Sequence, residues 1–168
     1  MDARYLQATT VLPRQNKVCG RTLRPFCLRH RVALEAIESP FLDPEKHQFN
    51  PVQVVMAARI LSTYDKEEMA RSLSFIEKLY IARMAMSKKY YSRCVGTILG
   101  CIKVSLSYPK FWKKEDKGNG KKYEDIPFPL SCVSNLCRNG VSLEEAWTMP
   151  EGEAVWMSVA SAIYNGAK

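Results

Sequence analysis

The chain has 168 residues, of which 46% are hydrophobic and 25% are charged, and this composition excludes a fibrous or intrinsically disordered protein. A chain of this length buries roughly 70% of the surface that its unfolded form exposes, so it can form a core without disulfides or bound metal. The formal net charge is +8, but residues 1–122 contain 23 Lys and Arg against 11 Asp and Glu, whereas residues 123–168 contain 2 against 6. This basic N-terminal part and acidic C-terminal part are compatible with binding to nucleic acid or to an acidic protein, or with self-association.

Neither a membrane span nor a secretory signal is predicted. The longest apolar run, from Cys94 to Ile102, is about half the length that a membrane span needs, and Lys103 ends it. The first residues, MDARYLQATTVLPRQ, contain an early acid and no continuous apolar region. We therefore expect a cytoplasmic protein with no membrane partner, in which the six cysteines are reduced and mostly buried.

The N-terminal part is predicted to be irregular. Residues 1–24 are interpreted as an extended arm, with a short strand or hairpin around residues 16–22. Pro25 is predicted to open the first helix, which ends before Ser39–Pro40. His30 lies on the apolar face of that helix and is interpreted as a structural, partly buried side chain. No second histidine or nucleophile motif accompanies it.

Two further helical segments follow. Asn50, Pro51 and Gln53 have the spacing of a helix start, with a side-chain cap, a proline at the first helical position and a glutamine three residues after the cap. A new segment begins at Asp65 and has a second apolar face that consists of Met69, Leu73, Ile76 and Tyr80, with Met84 as a further candidate. Met84 and Met86 could belong to an adaptable binding surface, but methionine more commonly fills gaps in a core. Residues 95–108 fit either a helix or a strand, and we predict a helix because the element continues its neighbour.

The next segment is rich in lysine and glycine. Residues 113–125 are predicted to form a basic, flexible, solvated loop. Residues 83–122 contain 11 basic and 2 acidic residues, interleaved with aromatic residues. Lysines can neutralise phosphates and aromatic rings can stack on bases, so this loop is also a candidate anion or nucleic-acid contact. The candidate residues are Lys113, Lys114, Lys117, Lys121 and Lys122.

The C-terminal third has the clearest helix signals. A short helix after Pro129 is predicted to end at Asn139–Gly140. Ser142 and Glu145 have capping-box spacing and are expected to start the next helix, which Pro150 separates from a last one that ends near Asn165–Gly166. This arrangement imitates a helix-turn-helix, but its second helix opens with two glutamates, which phosphates would repel.

No catalytic signature is present in the sequence. It lacks a nucleophile elbow, a phosphate-binding glycine loop and a zinc-protease motif, and its carboxylate pairs are adjacent residues that we expect to be solvated. The single compact Cys/His pair, Cys27 with His30, lacks further zinc ligands nearby in the sequence. We therefore expect no enzyme activity, no cofactor and no metal site.

The segment from Gly140 to Pro150, GVSLEEAWTMP, together with Ala154 to Trp156, resembles the C-terminal part of tail assembly chaperones of tailed bacteriophages. Residues 23–26 and 39–41 and the proline-rich residues 126–129 also look similar to that group. The resemblance implies a small helical protein of the host cytoplasm that holds the tape measure protein of a growing phage tail. Binding would use apolar helical surfaces, without chemistry or cofactor.

The sequence therefore predicts a mostly α protein with one compact domain of five to seven helices and an irregular N-terminal arm. Its expected function is a non-enzymatic phage assembly factor that binds a tape measure-like protein or associates with itself. The partner-binding residues are predicted to be Trp147, Met149 and Trp156. The alternative is a basic nucleic-acid-binding or DNA-packaging accessory protein.

Overall fold

The computed structural model describes residues 16–43, 49–106 and 126–164. Within these ranges the chain forms one small hairpin and eight α-helices, which confirms the mostly α prediction. The elements are β1 (Lys17–Val18), β2 (Arg21–Thr22), α1 (Leu28–Ala36), a 3-10 turn (Pro40–Leu42), α2 (Pro51–Ile60), α3 (Lys66–Ala70), α4 (Phe75–Met86), α5 (Lys88–Ser105), α6 (Phe128–Arg138), α7 (Leu143–Thr148) and α8 (Glu151–Tyr164).

The helix count is one above the predicted range because the segment that starts at Asp65 is divided into α3 and α4. Ser74 starts α4 with a capping box, in which its side chain accepts from the N–H of Glu77 and the Glu77 carboxylate accepts from the N–H of Ser74. The predicted helical state of residues 95–108 is confirmed as far as Ser105. Residues 107 and 108 lie outside the described residues, as do residues 1–15 of the predicted arm and the predicted basic loop, residues 113–125.

The end of the predicted arm, residues 16–24, belongs to the folded core. Its hairpin pairs Lys17 with Thr22 and Val18 with Arg21, as predicted for residues 16–22. Val18 and Leu23 are almost completely buried in the core. The hairpin predicted for residues 16–22 is therefore present, and its apolar residues pack between the helices.

The first helix begins at Leu28, three residues after the predicted start at Pro25. The intervening chain is extended and hydrogen-bonds to other elements through its backbone. Residues 23–27, which we call the tie segment, contact the hairpin, the end of α2, α5 and the start of α8. The bonds are Leu23 N–H to Asn16 O (2.9 Å), Arg24 N–H to Leu61 O (2.8 Å), Phe26 N–H to Ser105 Oγ (2.9 Å) and Glu151 N–H to Phe26 O (2.9 Å).

Two buried clusters lie on either side of the tie segment and α1. The larger cluster is built by the hairpin, α2, α4 and α5, and Leu34 of α1 belongs to it. The smaller is built by α6, α7 and α8, and Leu28 of α1 belongs to it. Because Leu28 and Leu34 are both completely buried, α1 is packed on both sides.

A buried ion pair also joins α1 to α8. Glu151 is completely buried and receives two hydrogen bonds from Arg31, at 2.7 and 2.6 Å. Arg31 also lies 3.7 Å from Glu35, whose side chain is 48% exposed. Removing one partner of a buried pair leaves an uncompensated charge, whereas an exposed pair contributes little.

We predict that Glu151→Gln lowers the free energy of unfolding by about 2 kcal/mol, because Arg31 loses a buried partner with two hydrogen bonds. The matched variant Glu35→Gln, which removes the exposed partner of the same arginine, is expected to change it by less than about 0.5 kcal/mol. Urea denaturation at pH 7 measures both. Equal effects of the two variants would contradict the assignment of the Arg31–Glu151 pair.

His30 is completely buried, so the prediction of a partly buried side chain underestimates its burial. Its Nε2 lies 2.9 Å from the carbonyl oxygen of Thr63, and its ring stacks on Tyr64 at 5.3 Å. Burial lowers the pKa of His30 to about 4, although the carbonyls of Thr63 and Pro25 favour the protonated form. The imidazole is therefore neutral at pH 7 and has a structural role.

A pH dependence of stability follows. The pKa of His30 is about 4 in the folded chain, against an ordinary value of 6.5, so the unfolded chain binds more protons between these values. Stability is therefore lost as the pH falls from 6.5 towards 4. We expect His30→Gln to lose about 2 kcal/mol less than the parent chain between pH 7.5 and pH 5 in urea denaturation. Parallel pH profiles would show that His30 does not cause the loss.

Candidate protein-binding surface

Helix α4 exposes a row of large apolar side chains, which we call the α4 ridge. The exposed fractions are 75% for Phe75, 64% for Ile76, 54% for Leu79 and 83% for Met86. At 100° per residue these positions fall within an arc of roughly 100°, so they form one face of the helix. Ile76 was predicted to share an apolar face with Met69 and Leu73, and the structure places it on the exposed side because α4 has apolar residues on two opposite faces.

The opposite face of α4 fixes the direction of the ridge. Met84 and Glu77 are buried there, and Glu77 receives two hydrogen bonds from Arg71, both at 3.1 Å. Arg21 lies at 3.4 Å and Arg59 at 3.6 Å from the same carboxylate. Burial acts to raise the pKa of Glu77, but the backbone N–H of Ser74 and the arginine partners outweigh it and hold the pKa below its ordinary value. An ionised, multiply bonded Glu77 faces inward, so the ridge faces solvent.

The surfaces of α4 and α5 carry a net positive charge. Between Phe75 and Ser105 the sequence contains six Lys or Arg and a single acid, the buried Glu77. All six cations are exposed. Arg83 lies over the ring of Tyr90 with its guanidinium carbon 4.4 Å from the ring centre, and that of Arg93 lies 5.5 Å from it. Helices α4 and α5 therefore carry the apolar row of the ridge together with an excess of exposed positive charge.

A second apolar feature, the α1–α3 groove, opens between α1, α3 and α7 with a volume of about 410 Å³. Its lining is mainly apolar, with Arg29 and Lys66 as the cations. Arg29 binds the carboxylate of Glu144 through two hydrogen bonds, at 2.8 and 2.7 Å, which hold α7 against α1. The remaining lining residues are Val32, Ala33, Ala36, Ile37, Ile60, Met69, Ala70 and Trp147.

The three predicted partner-binding residues occupy different environments. Trp147 is half-buried and lines the α1–α3 groove. Met149 is half-buried and packs, like Trp147, against the smaller core cluster. Trp156 is half-buried on α8. Their role in partner binding stays a prediction.

The five predicted anion-contact lysines, Lys113, Lys114, Lys117, Lys121 and Lys122, lie outside the described residues. Within residues 16–43, 49–106 and 126–164, no three His, Cys, Asp or Glu side chains are grouped as metal ligands. The helices in these ranges also include none that is both long and apolar enough to cross a membrane.

Sequence reasoning identified the excess of cations in residues 83–122 but not the α4 ridge. A signal was available, because Ser74 and Glu77 have capping-box spacing and place the helix start where Phe75 and Ile76 are adjacent. An apolar pair at adjacent positions cannot lie entirely on one narrow stripe. The pairing of Arg29 with Glu144 has no local signal, because it joins residues far apart in the sequence.

Comparison of the chain with protein-family models, with curated proteins and with solved structures finds no match. The candidate surface therefore rests on the geometry of the α4 ridge and on the charges around it.

Proposed function

We propose that this chain is a non-enzymatic assembly factor that binds an apolar helical segment of another protein on the α4 ridge. The observation that carries the proposal is the exposure of four large apolar side chains, by 54 to 83%, on one face of a 12-residue helix. An exposed apolar face of this kind marks an interaction surface rather than an ordinary solvated helix. A helix laid along it would bury the row through its own i, i+3, i+4 and i+7 positions.

The charges define the chemistry of the partner. Because α4 and α5 carry six exposed cations and no exposed acid, the complementary partner is an amphipathic helix with an apolar stripe and acidic flanks. Such a helix would place its acids towards the cations of α4 and α5 while its apolar residues cover the ridge. Charge complementarity of this type raises the association rate and suppresses wrong partners more than it adds affinity.

The resemblance of residues 140–156 to tail assembly chaperones supplies a concrete client, the tape measure protein of a phage tail. Long helical proteins of that kind are prone to aggregate until they are assembled, and a factor that covers their apolar stripes would keep them soluble. The proposal for this chain is therefore shielding of a helical client in the host cytoplasm, without cofactor or chemistry. The α1–α3 groove, with Trp147 in its lining, offers a second apolar contact next to α7.

One observation favours nucleic acid as the alternative partner. The α4–α5 surface carries six cations, and Tyr90 lies between Arg83 and Arg93. Phosphates would use the cations, and affinity would fall steeply with salt. Nucleic acid does not, however, account for the exposure of Phe75 and Met86, because phosphate contacts need no apolar row. A helical client therefore accounts for more features of the α4–α5 surface than nucleic acid does.

We predict that the double variant Leu79→Ser/Met86→Ser weakens binding of an acidic-flanked amphipathic helix by roughly tenfold or more, because truncating large apolar contacts at an interface centre costs above 1 kcal/mol each. Fluorescence anisotropy with a labelled synthetic peptide of this pattern measures the change. The exposed positions lie outside the core, so unfolding free energy should shift by less than about 0.5 kcal/mol per site.

The matched control is Leu143→Ser, which removes an apolar side chain of 62% exposure on α7. It should leave the peptide affinity unchanged. A peptide with the same apolar stripe and basic flanks should bind more weakly than the acidic one.

Tight binding of DNA with a steep salt slope and no peptide binding would instead support the nucleic-acid alternative. Dimerisation that the double variant abolishes would identify a second copy of the chain as the occupant.

Co-expression with a tape measure protein tests the client directly. The parent chain and Leu143→Ser should raise the soluble fraction of the client, and Leu79→Ser/Met86→Ser should not. A client whose solubility is the same with and without the chain would overturn the chaperone assignment.

A further inference from the structure

A polar cavity of about 410 Å³ opens where β2 and the tie segment meet the end of α2. Its described lining consists of two arginines and two hydroxyl residues, Arg21, Thr22, Arg24 and Ser62. We call this cavity the arginine pocket. No carboxylate belongs to its described lining, and each of the four side chains carries a hydrogen-bond donor. Such a lining favours an anion over a cation or an apolar group.

Ser62 holds both guanidinium groups of the pocket in place. Arg21 donates from Nη1 to the Ser62 hydroxyl at 3.2 Å, and Arg24 donates from Nε to the Ser62 carbonyl at 3.1 Å. The Ser62 hydroxyl in turn donates to the carbonyl of Arg59 at 2.7 Å. The backbone N–H of Arg24 is bound by the carbonyl of Leu61 at 2.8 Å. Because both arginines are positioned before a ligand arrives, binding loses little side-chain entropy.

The two arginines differ in their carboxylate partners. Arg21 donates from Nη2 to Glu68 at 3.0 Å and to Glu77 at 3.4 Å. Arg24 is exposed and pairs with no carboxylate of the described residues. Its guanidinium carbon lies 4.7 Å from the ring centre of Tyr64, which supports it from one side. Arg24 therefore remains able to bind an oxyanion through its planar fork.

The charges connected to the pocket are unbalanced. Hydrogen bonds and ion pairs connect four arginines and two glutamates around Ser62, which leaves two positive charges in excess. The members are Arg21, Arg24, Arg59, Arg71, Glu68 and Glu77.

The crowding of the arginines has a measurable consequence at Arg59, which is almost completely buried. Burial lowers the pKa of its guanidinium; Glu77 opposes this shift, but the charges of Arg71 and Arg21 add to it. The Nε of Arg59 is also buried without a hydrogen-bond partner among the described residues. The group is therefore short of negative charge, and an anion held nearby would offset the repulsion between its arginines.

We propose that the arginine pocket binds a phosphate dianion, either inorganic phosphate or the phosphate group of a small monoester. A dianion matches the two positive charges in excess. A tetrahedral anion presents oxygens in several directions, which suits two guanidinium groups and the exposed hydroxyl of Thr22 better than a planar carboxylate does. The volume of about 410 Å³ leaves room for a small group attached to the phosphate.

The test is isothermal titration calorimetry of the full chain at pH 7.5 in a low-salt buffer, with inorganic phosphate, glycerol 2-phosphate and dimethyl phosphate as titrants. We expect saturable binding of the first two, with one site per chain. Dimethyl phosphate carries a single charge and should bind roughly tenfold more weakly. Tighter binding of glycerol 2-phosphate would identify a monoester as the ligand, and tighter binding of inorganic phosphate would identify the free ion.

Variants assign the binding to the pocket. Arg24→Gln should weaken phosphate binding roughly tenfold or more, because hydrogen bonds between charged groups are among the stronger ones. Thr22→Val removes one neutral donor and should weaken it by a smaller factor. The matched control Arg138→Gln removes an exposed cation of α6 and should leave the affinity unchanged. Circular dichroism checks that each variant is folded.

Three results would overturn the inference. The first is the absence of saturable phosphate binding by the parent chain in the millimolar range. The second is an equal loss of affinity in Arg24→Gln and Arg138→Gln, which would indicate nonspecific attraction to a basic protein. The third is binding of dimethyl phosphate as tight as that of the dianions. If Arg24→Gln does not fold, the comparison of Thr22→Val with Arg138→Gln decides, and equal affinities of those two variants would overturn the site.

Discussion

The structure depends on the tie segment, residues 23–27, an extended piece of chain between the hairpin and α1. Its backbone groups are hydrogen-bonded to four different elements rather than to its own neighbours. Phe26 shows this most clearly, because its N–H is bound by Ser105 of α5 and its carbonyl by the N–H of Glu151. A buried backbone group without a partner costs free energy comparable to a lost hydrogen bond, so each of these bonds fixes the position of the element that supplies it.

The tie segment and α1 together connect the two cores. The larger core holds the hairpin, α2, α4 and α5, and the smaller holds α6, α7 and α8. The Arg31–Glu151 pair adds a charged contact at the same junction. Because these contacts fix the inner faces of the helices, each helix has one orientation about its own axis. The consequence for function is that the apolar side of α4 faces solvent and its ionised Glu77 faces inward.

Much of the architecture could be predicted from local sequence signals. The cap of α2 at Asn50, the start of α7 at Ser142 and the stop at Gly140 follow from side chains that bind nearby backbone groups, and all are present. The start of α1 could not be predicted in this way. Pro25 suits a first helical position, but the following residues gain hydrogen bonds to α5 and α8, and these tertiary bonds outweigh the local preference.

The candidate site was harder to predict than the fold for a physical reason. Periodicity identifies apolar faces but does not say which of two apolar faces is buried, so the 64% exposure of Ile76 could not be predicted from its place on an apolar face. The partners of Glu77 and Glu151 come from distant parts of the chain, and a single sequence carries no signal for them. The proposed client rests on a resemblance in the C-terminal segment and on the exposed α4 ridge.

Native-state hydrogen exchange tests the central structural claim most directly. If the tie segment joins the two cores into one cooperative unit, the amides of Phe26 and Glu151 exchange only through global unfolding, as slowly as the amide of Ala58 in the middle of the buried α2. Their apparent opening free energies should then decrease in parallel as the denaturant concentration rises. Exchange of Phe26 and Glu151 more than about tenfold faster than that of Ala58, with no dependence on denaturant, would contradict the account.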